Sequence, residues 1–202
     1  MLYIFDPETD YILEDEHALL RPLQVSDYEH LKTFALNEPD LWTYSLQNAG
    51  SESGMKEYIE KALIAREMGK GYPYIVFDKV KQQYAGTTRL YDIDLSNKCL
   101  SLGYTWYGKD FQGTGLNKHC KYLLFEFVFE QMGFERIEFR LDSLNARSMN
   151  AIKGLGCTLE GVLRSNSYRP DGSRRDSVVL SILKEEWFDG KRELLKSKLI
   201  FF

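Results

Sequence analysis

An apolar segment of strand character, residues 100–106, runs through a loop with two glycines, Gly113 and Gly115, into a helix-periodic stretch that reaches Gln131. Leu116, Cys120, Leu123, Leu124, Phe127 and Val128 recur at helical spacing, which commits one helix face to a core. Glycines at such a junction let the backbone approach a bulky ligand, because no Cβ intervenes. The first helical turn presents unpaired N–H groups at the positive end of the macrodipole. Strand, glycine loop and helix N-terminus together predict a phosphate or pyrophosphate site. Two common phosphate loops do not fit. The P-loop pattern G-x-x-x-x-G-K-[ST] is absent. A G-x-G-x-x-G fingerprint begins at Gly113 and Gly115 but meets Lys118 where its third glycine belongs.

With 202 residues, 44% of them hydrophobic, the chain can bury one good core, and a single domain over 1–202 is expected. A net charge of −4 argues against general nucleic-acid binding. Cys99, Cys120 and Cys157 are odd in number and lack ligand spacing, so no metal is expected, and Cys120 falls on the core face of its helix. Neither a signal peptide nor a bilayer-length apolar run is evident, which makes a cytoplasmic protein without a membrane partner the expectation.

Residues 19–23 read as a first strand, with Leu13 and its neighbours pairing ahead of it. Ser26-Asp27 is placed to cap a helix through Leu36, and a second helix is expected over about 52–68. Stretches 72–77, 84–91 and 99–106 read as successive strands, and 136–141 alternates as a strand with one buried face. A helix over 145–155 stops at Gly156. Stretches 158–168 and 176–183 form a hairpin about Pro170-Asp171-Gly172. The tail 184–198 reads as helix, anchored by Trp187 and Leu194. Trp42, Tyr44, Tyr72, Tyr74 and Tyr168 belong either to an acceptor cleft or to the core. The fold class is α+β, a mixed and mainly antiparallel sheet flanked by helices.

Gln112-Gly113-Thr114-Gly115-Leu116-Asn117 resembles the Q/R-x-x-G-x-G/A loop of the GNAT N-acetyltransferases, departing from it only at Asn117. Residues 145–157, with Asn145, Ser148, Ile152 and Gly156, resemble that family's N-x-x-S-x-x-x-(I/A)-x-x-x-G-F segment, with Cys157 in place of Phe. Leu20-Arg21-Pro22-Leu23 followed by Asp27, Leu102-Gly103-Tyr104, and Leu159-Glu160-Gly161 with Asp171-Gly172 and Arg175-Asp176 are similar to the RimJ/RimL-like branch. The resemblance covers residues 18–188. It implies a twisted sheet whose central strands, 99–106 and 136–141, splay apart around the pantetheine arm of acetyl-coenzyme A, the arm pairing like an added strand. The implied coenzyme contacts are Tyr104, Thr105 and Trp106 along the arm, Gln112 to Lys118 at the pyrophosphate, and Asn145. A helical φ needs no glycine, so the N–H of Asn117 still donates.

Acetyl transfer to an amine needs a neutral amine, a polarised carbonyl, a stabilised oxyanion and a protonated leaving thiolate. Backbone N–H groups around Tyr104, Thr105 and Trp106 are the oxyanion candidates; one such donor contributes about 2.7–4 kcal/mol. Ser148 matches the family serine that approaches the coenzyme sulfur and is the candidate acid; the other reading is an ordinary first-turn serine. Where some relatives place a glutamate base, residues 164–168 carry no carboxylate, which leaves Asp92, Asp94, Glu138 and Asp176 as alternatives. Without an efficient base, an α-amine of pKa about 7.7–8.0 is a better acceptor than a lysine near about 10.4.

The resulting expectation is an acetyl-coenzyme-A-dependent N-acetyltransferase acting on a primary amine, first of all a protein N-terminal α-amine of the ribosomal-protein type. A polyamine or antibiotic acetyltransferase and a non-catalytic acyl-coenzyme-A-binding regulator are the alternatives. An acidic chain is compatible with a cationic acceptor. The apolar end Leu199-Ile200-Phe201-Phe202 is a candidate contact with a second copy, or packs on its own domain.

Overall fold

The computed structural model describes residues 5–169 and 171–199. Strands β1 (Leu13–Glu14) and β2 (Ala18–Pro22) precede helices α1 (Tyr28–Asn37) and α2 (Glu52–Glu67). A meander follows: β3 (Gly71–Asp78), β4 (Gln83–Asp94) and β5 (Cys99–Tyr107). After the glycine loop, α3 (Leu116–Glu126) carries the chain back to β6 (Arg136–Asp142). Then come α4 (Ala146–Gly154) and the hairpin β7 (Thr158–Tyr168) and β8 (Arg174–Leu183). The strands form one sheet in the order β1-β2-β3-β4-β5-β6-β8-β7. Among the described strands only β5 and β6 pair in parallel, because a helical crossover joins them. This is the expected α+β architecture.

The sheet has two covered faces. Leu100, Leu102, Ile137, Phe139, Leu141 and Leu180 pack with α3, while Ile75 and Trp106 pack with Leu31, Met55 and Ile59 of α1 and α2. The alternation of β6 is borne out: on its other face Glu138 is hydrogen-bonded to Arg136 (2.8 Å) and Arg140 (2.6 Å).

Helix α3 buries more than its predicted stripe, since His119, Lys121, Tyr122 and Phe125 are enclosed too. Other segments cover its outer side. Trp187 packs tilted or edge-on against Tyr122, Phe125 and Phe129, with centroids 5.6, 5.8 and 6.0 Å away, and its Nε1 donates to Glu130 at 2.9 Å.

Several local expectations need correction. The long helix is α-helical only to Glu126 and widens into a π-turn over Phe127–Gln131. Asp27 stands at the N-cap position of α1, as expected, but its side chain makes no capping bond to that helix. Val25–Asp27 is a 3-10 turn in which buried Asp27 pairs with Arg21 (2.6 Å) and accepts the Gln24 N–H (2.8 Å). The tail is not one helix but α5 (Lys184–Glu186), a turn over Trp187–Lys191 and α6 (Arg192–Lys196), broken at Asp189 and Gly190, the latter with φ 99°. That break changes the phase, so Leu195 is buried and the expected anchor Leu194 is exposed. Pro170 of the predicted turn and residues 200–202 of the apolar end lie outside the described residues; Leu199 packs against the core.

Candidate active site

Strands β5 and β6 pair only at Cys99↔Arg136, Leu100↔Ile137 and Ser101↔Glu138. Both strands continue beyond that point without pairing to each other, which opens the expected splay. Inside the opening β5 carries a bulge. The register with β4 slips between Thr87↔Trp106 and Arg89↔Gly103, so Tyr104 and Thr105 together oppose Thr88. Tyr104 sits at φ 48°, an uncommon conformation for an aromatic residue. The Tyr58 hydroxyl lies 2.8 Å from Thr87 Oγ1 and donates to the Tyr104 carbonyl at 3.3 Å, fixing the bulge from the α2 side. Behind it, Lys121 Nζ donates to Thr105 Oγ1 (2.8 Å) and Thr88 Oγ1 (3.0 Å). Complete burial pulls the Lys121 pKa down to about 8. Sequence reading missed this lysine; its one signal was a charge flanked by apolar residues on a core helix.

In the glycine loop, Gly113 and Gly115 take φ 75° and 94°. A Cβ on Gly113 would meet no protein atom within 4 Å, so there is room beside the backbone. Gln112 braces the loop: its Nε2 donates to the Tyr107 carbonyl at 2.8 Å and its Oε1 accepts from Arg147. Thr114 Oγ1 donates to the Phe111 carbonyl at 3.0 Å and makes a long 3.4 Å contact with the Leu116 N–H. The Lys118 N–H bonds Gly115 O at 2.8 Å. The amides of Gly113, Thr114, Gly115 and Asn117 have no acceptor among the described residues. A cluster of free amides at a helix start, with space beside it, fits phosphate oxygens.

Helix α4 begins where β6 ends, across the splay from that loop. Asn145 Oδ1 accepts the Ser148 N–H at 3.0 Å, an ordinary N-cap, while the Ser148 hydroxyl makes no hydrogen bond among the described residues. The Arg147–Gln112 bond ties this first turn to the glycine loop. The first turn of α4 with Asn145 and Ser148 thus lies beside the Gln112–Lys118 loop, which continues from the strand that carries Tyr104 to Trp106, while the Leu116 side chain turns into the core.

None of the carboxylates proposed as base is poised there. Asp92 and Asp94 line a hollow with Met68 and Lys70 at the closed end of the splay. Burial pushes the Glu138 carboxyl up, but hydrogen bonds from Arg136 and Arg140 outweigh it and hold the pKa below its usual value. Asp176 accepts the Ser165 N–H at 2.6 Å. At the end of β6, buried Asp142 is gripped by Arg169 through two bonds of 2.7 and 2.9 Å.

Of the aromatic candidates, Tyr72 and Tyr74 are core, Tyr44 and Tyr168 are exposed, and Trp42 lines a cleft of about 330 Å³ with Pro39, Asn48, Gly50, Arg169 and Asp171. Trp42 packs edge-on against Trp106 at 5.0 Å, which places this cleft on the α1–α2 side of the splay. Tertiary structure also gathers Asp15, His17 and His119, whose ligand-type atoms lie within 4.8 Å of one another. The imidazoles stack 14° from parallel, and His119 Nδ1 lies 2.7 Å from Asp15 Oδ2, which ties α3 to the β1–β2 hairpin.

Comparison with known proteins gives one consistent outcome. Residues 17–158 match the family model of the acetyltransferase (GNAT) domain. A Bacillus subtilis protein named for ribosomal N-acetyltransferase activity is 26% identical over 180 residues, covering 86% of this chain and 94% of its own. An acetyltransferase structure from T. thermophilus is 31% identical, with a TM-score of 0.83 over 94% of this chain and 97% of that one. Mycobacterium smegmatis RimJ, in complex with CoA-disulfide, is 17% identical and shares the fold, with a TM-score of 0.79 over 95% of this chain and 94% of its own.

Proposed function

The chain belongs to the GNAT acetyltransferase family and is an N-acetyltransferase; we propose that its donor is acetyl-coenzyme A and its acceptor the α-amine of a protein N-terminus, of the ribosomal-protein type. The observation that carries this reading is the splay between β5 and β6, bounded by free loop amides on one side and Ser148 on the other. The CoA complex of the RimJ relative supports the donor, and the name of the Bacillus relative supports the acceptor.

Each part of the opening then has a task. Edge groups of β5 beyond Ser101 pair with the amides of the pantetheine arm, as an added strand would. Amides of Gly113, Thr114, Gly115 and Asn117 receive the pyrophosphate, with Lys118 adding charge. The bound thioester supplies the acetyl group. N–H groups around Tyr104, Thr105 and Trp106 polarise its carbonyl, and the Ser148 hydroxyl holds a proton for the leaving sulfur. The carboxylates considered as base are occupied by arginines or backbone, or lie at the closed end. The amine therefore arrives with its own neutral fraction, which an α-amine of pKa about 7.7–8.0 supplies and a lysine near about 10.4 does not.

The test is release of coenzyme A thiol with a panel of amines: short peptides with free N-termini, their N-blocked counterparts, a polyamine and an aminoglycoside. Free-N-terminal peptides are expected to turn over and blocked ones not. Preference for the polyamine or aminoglycoside overturns the acceptor, and donor binding without turnover of any amine overturns the catalytic reading.

A further inference from the structure

We infer that the acceptor side of the splay holds a carboxylate carried close to the reacting amine, through Arg89 of β4 and Arg175 of β8. This rests on the amine-acceptor reading above and adds to it the acceptor's charge. Both arginines stand on the α1–α2 face of the sheet. Leu90 packs on the α3 face, so Arg89 and Tyr91 point the other way, and Arg175 shares that side with Asp142 through the Asp142↔Ser177 register.

Each arginine is 4% exposed, and neither makes a hydrogen bond among the described residues. The Arg89 guanidinium lies over the rings of Tyr104 (4.2 Å) and Tyr58 (5.3 Å), with Nε and Nη2 lacking acceptors. Cation–π contacts compensate only part of a buried guanidinium's lost hydration and satisfy none of its N–H groups. Among the described residues the one carboxylate paired with Arg175 is Asp142, 3.9 Å from its Nε, and Arg169 already holds both oxygens of that carboxylate. Burial lowers the Arg175 pKa from its usual value, and the Tyr91 and Tyr104 phenols bear on its charge. Those two rings pack edge to face at 5.1 Å, and Arg89 lies over one of them.

By contrast, the half-buried Arg21 of β2, on the same sheet, holds both oxygens of Asp27 at 2.6 and 2.9 Å. A second observation points the same way. The buried indole nitrogens of Trp42, which lines the cleft between residues 39–50 and the β7–β8 turn, and of Trp106, packed against it, also lack partners, and like the two guanidinium groups they are donors. Unsatisfied buried donors call for a ligand that brings acceptors. A carboxylate does so and neutralises the excess positive charge, which is local and opposite in sign to the chain's net −4.

Two sources offer that chemistry: an acidic side chain just after the N-terminal residue of a peptide, and the α-carboxylate of a free amino acid. The experiment compares short peptides with Asp, Asn or Lys at the second position, free glutamate, and spermidine. Initial rates are combined with peptide binding by calorimetry in the presence of coenzyme A. The Asp peptide is expected to exceed its Asn isostere at least about tenfold in kcat/KM, mostly through KM, equivalent to about 1.4 kcal/mol. Glutamate matching the Asp peptide would assign the carboxylate to a free amino acid. In Arg89→Gln and Arg175→Gln the Asp/Asn ratio should fall towards one and Arg89→Lys should recover part of it, with the Kd for acetyl-coenzyme A reporting an intact fold. Wild-type protein that treats Asp and Asn peptides alike, or prefers Lys or spermidine, overturns the inference without needing a variant. Failure to acetylate any amine overturns the catalytic proposal instead, and calorimetry with the Asp and Asn peptides still decides the carboxylate subsite.

Discussion

At Gly113 the backbone needs a left-handed φ, while the space where a Cβ would stand is free of protein. Gly113→Val should therefore fold but lose coenzyme affinity, because the side chain strains the loop and occupies the ligand's approach. Calorimetry is expected to show at least about a tenfold weaker Kd for acetyl-coenzyme A, roughly 1.4 kcal/mol; unchanged affinity in a folded variant would place the pyrophosphate elsewhere. Ser148→Ala should separate chemistry from binding. Its kcat should fall towards the lower end of the about 10²–10⁴-fold range for a general acid, since a thiolate leaves readily, with donor Kd nearly unchanged. Lys121 has a pH signature. Its folded pKa, about 8, lies below the ordinary 10.5, so its buried charge opposes folding at low pH and that penalty is relieved as pH rises through this window. Relative to Lys121→Met, wild-type stability should rise between those two values, by up to roughly 3 kcal/mol at about 1.4 kcal/mol per pKa unit. Parallel denaturant titrations of the two proteins would show it. Asparagine is a favoured N-cap in any sequence, so the cap at Asn145 was legible; the brace made by Gln112 was not, because a side-chain amide's partner is a tertiary fact.

Among elements, the β7–β8 hairpin is clamped beside the cleft by the bond of Asp142 with Arg169. Burial raises the Asp142 carboxyl, yet the Arg169 bonds outweigh it and leave its pKa below 3.8. Such a group stabilises the fold above its unfolded pKa and loses that contribution as pH falls through the lower folded value. Asp142→Asn should therefore flatten the acid limb of the stability curve, raise the acceptor KM, and leave donor affinity alone. A fall in donor affinity equal to the change in KM would show that the hairpin serves the coenzyme instead. Strand and helix identities here were legible from periodicity alone. The break at Gly190 was not, because glycine inside an apolar repeat marks a kink only when the packing on either side demands it, as Trp187 and Leu195 do against α3.

For the whole molecule, a ligand that binds only the folded state stabilises it by mass action, about 2.7 kcal/mol at a hundred times Kd. Acetyl-coenzyme A should accordingly raise Tm in a concentration-dependent way, and NAD should not, since Lys118 stands where the dinucleotide loop needs glycine. Equal stabilisation by NAD in a thermal-shift series would count against the donor. With an α-amine peptide, kcat/KM should rise with pH to a plateau near about 8, the amine's own pKa.

By itself the sequence determined the order of strands and helices, the glycine junction and the Asn145–Ser148 segment. These are written in local periodicity and contiguous motifs, which need no knowledge of distant residues. Only the tertiary structure decided what faces the splay. Lys121 meets Thr88 and Thr105, Arg89 meets Tyr104, and Asp142 is shared unequally by Arg169 and Arg175. Those residues come from strands and helices far apart in the chain. Whether a buried charge finds its partner depends on sheet register and on a one-residue bulge at Tyr104, and neither leaves a periodic mark in the sequence.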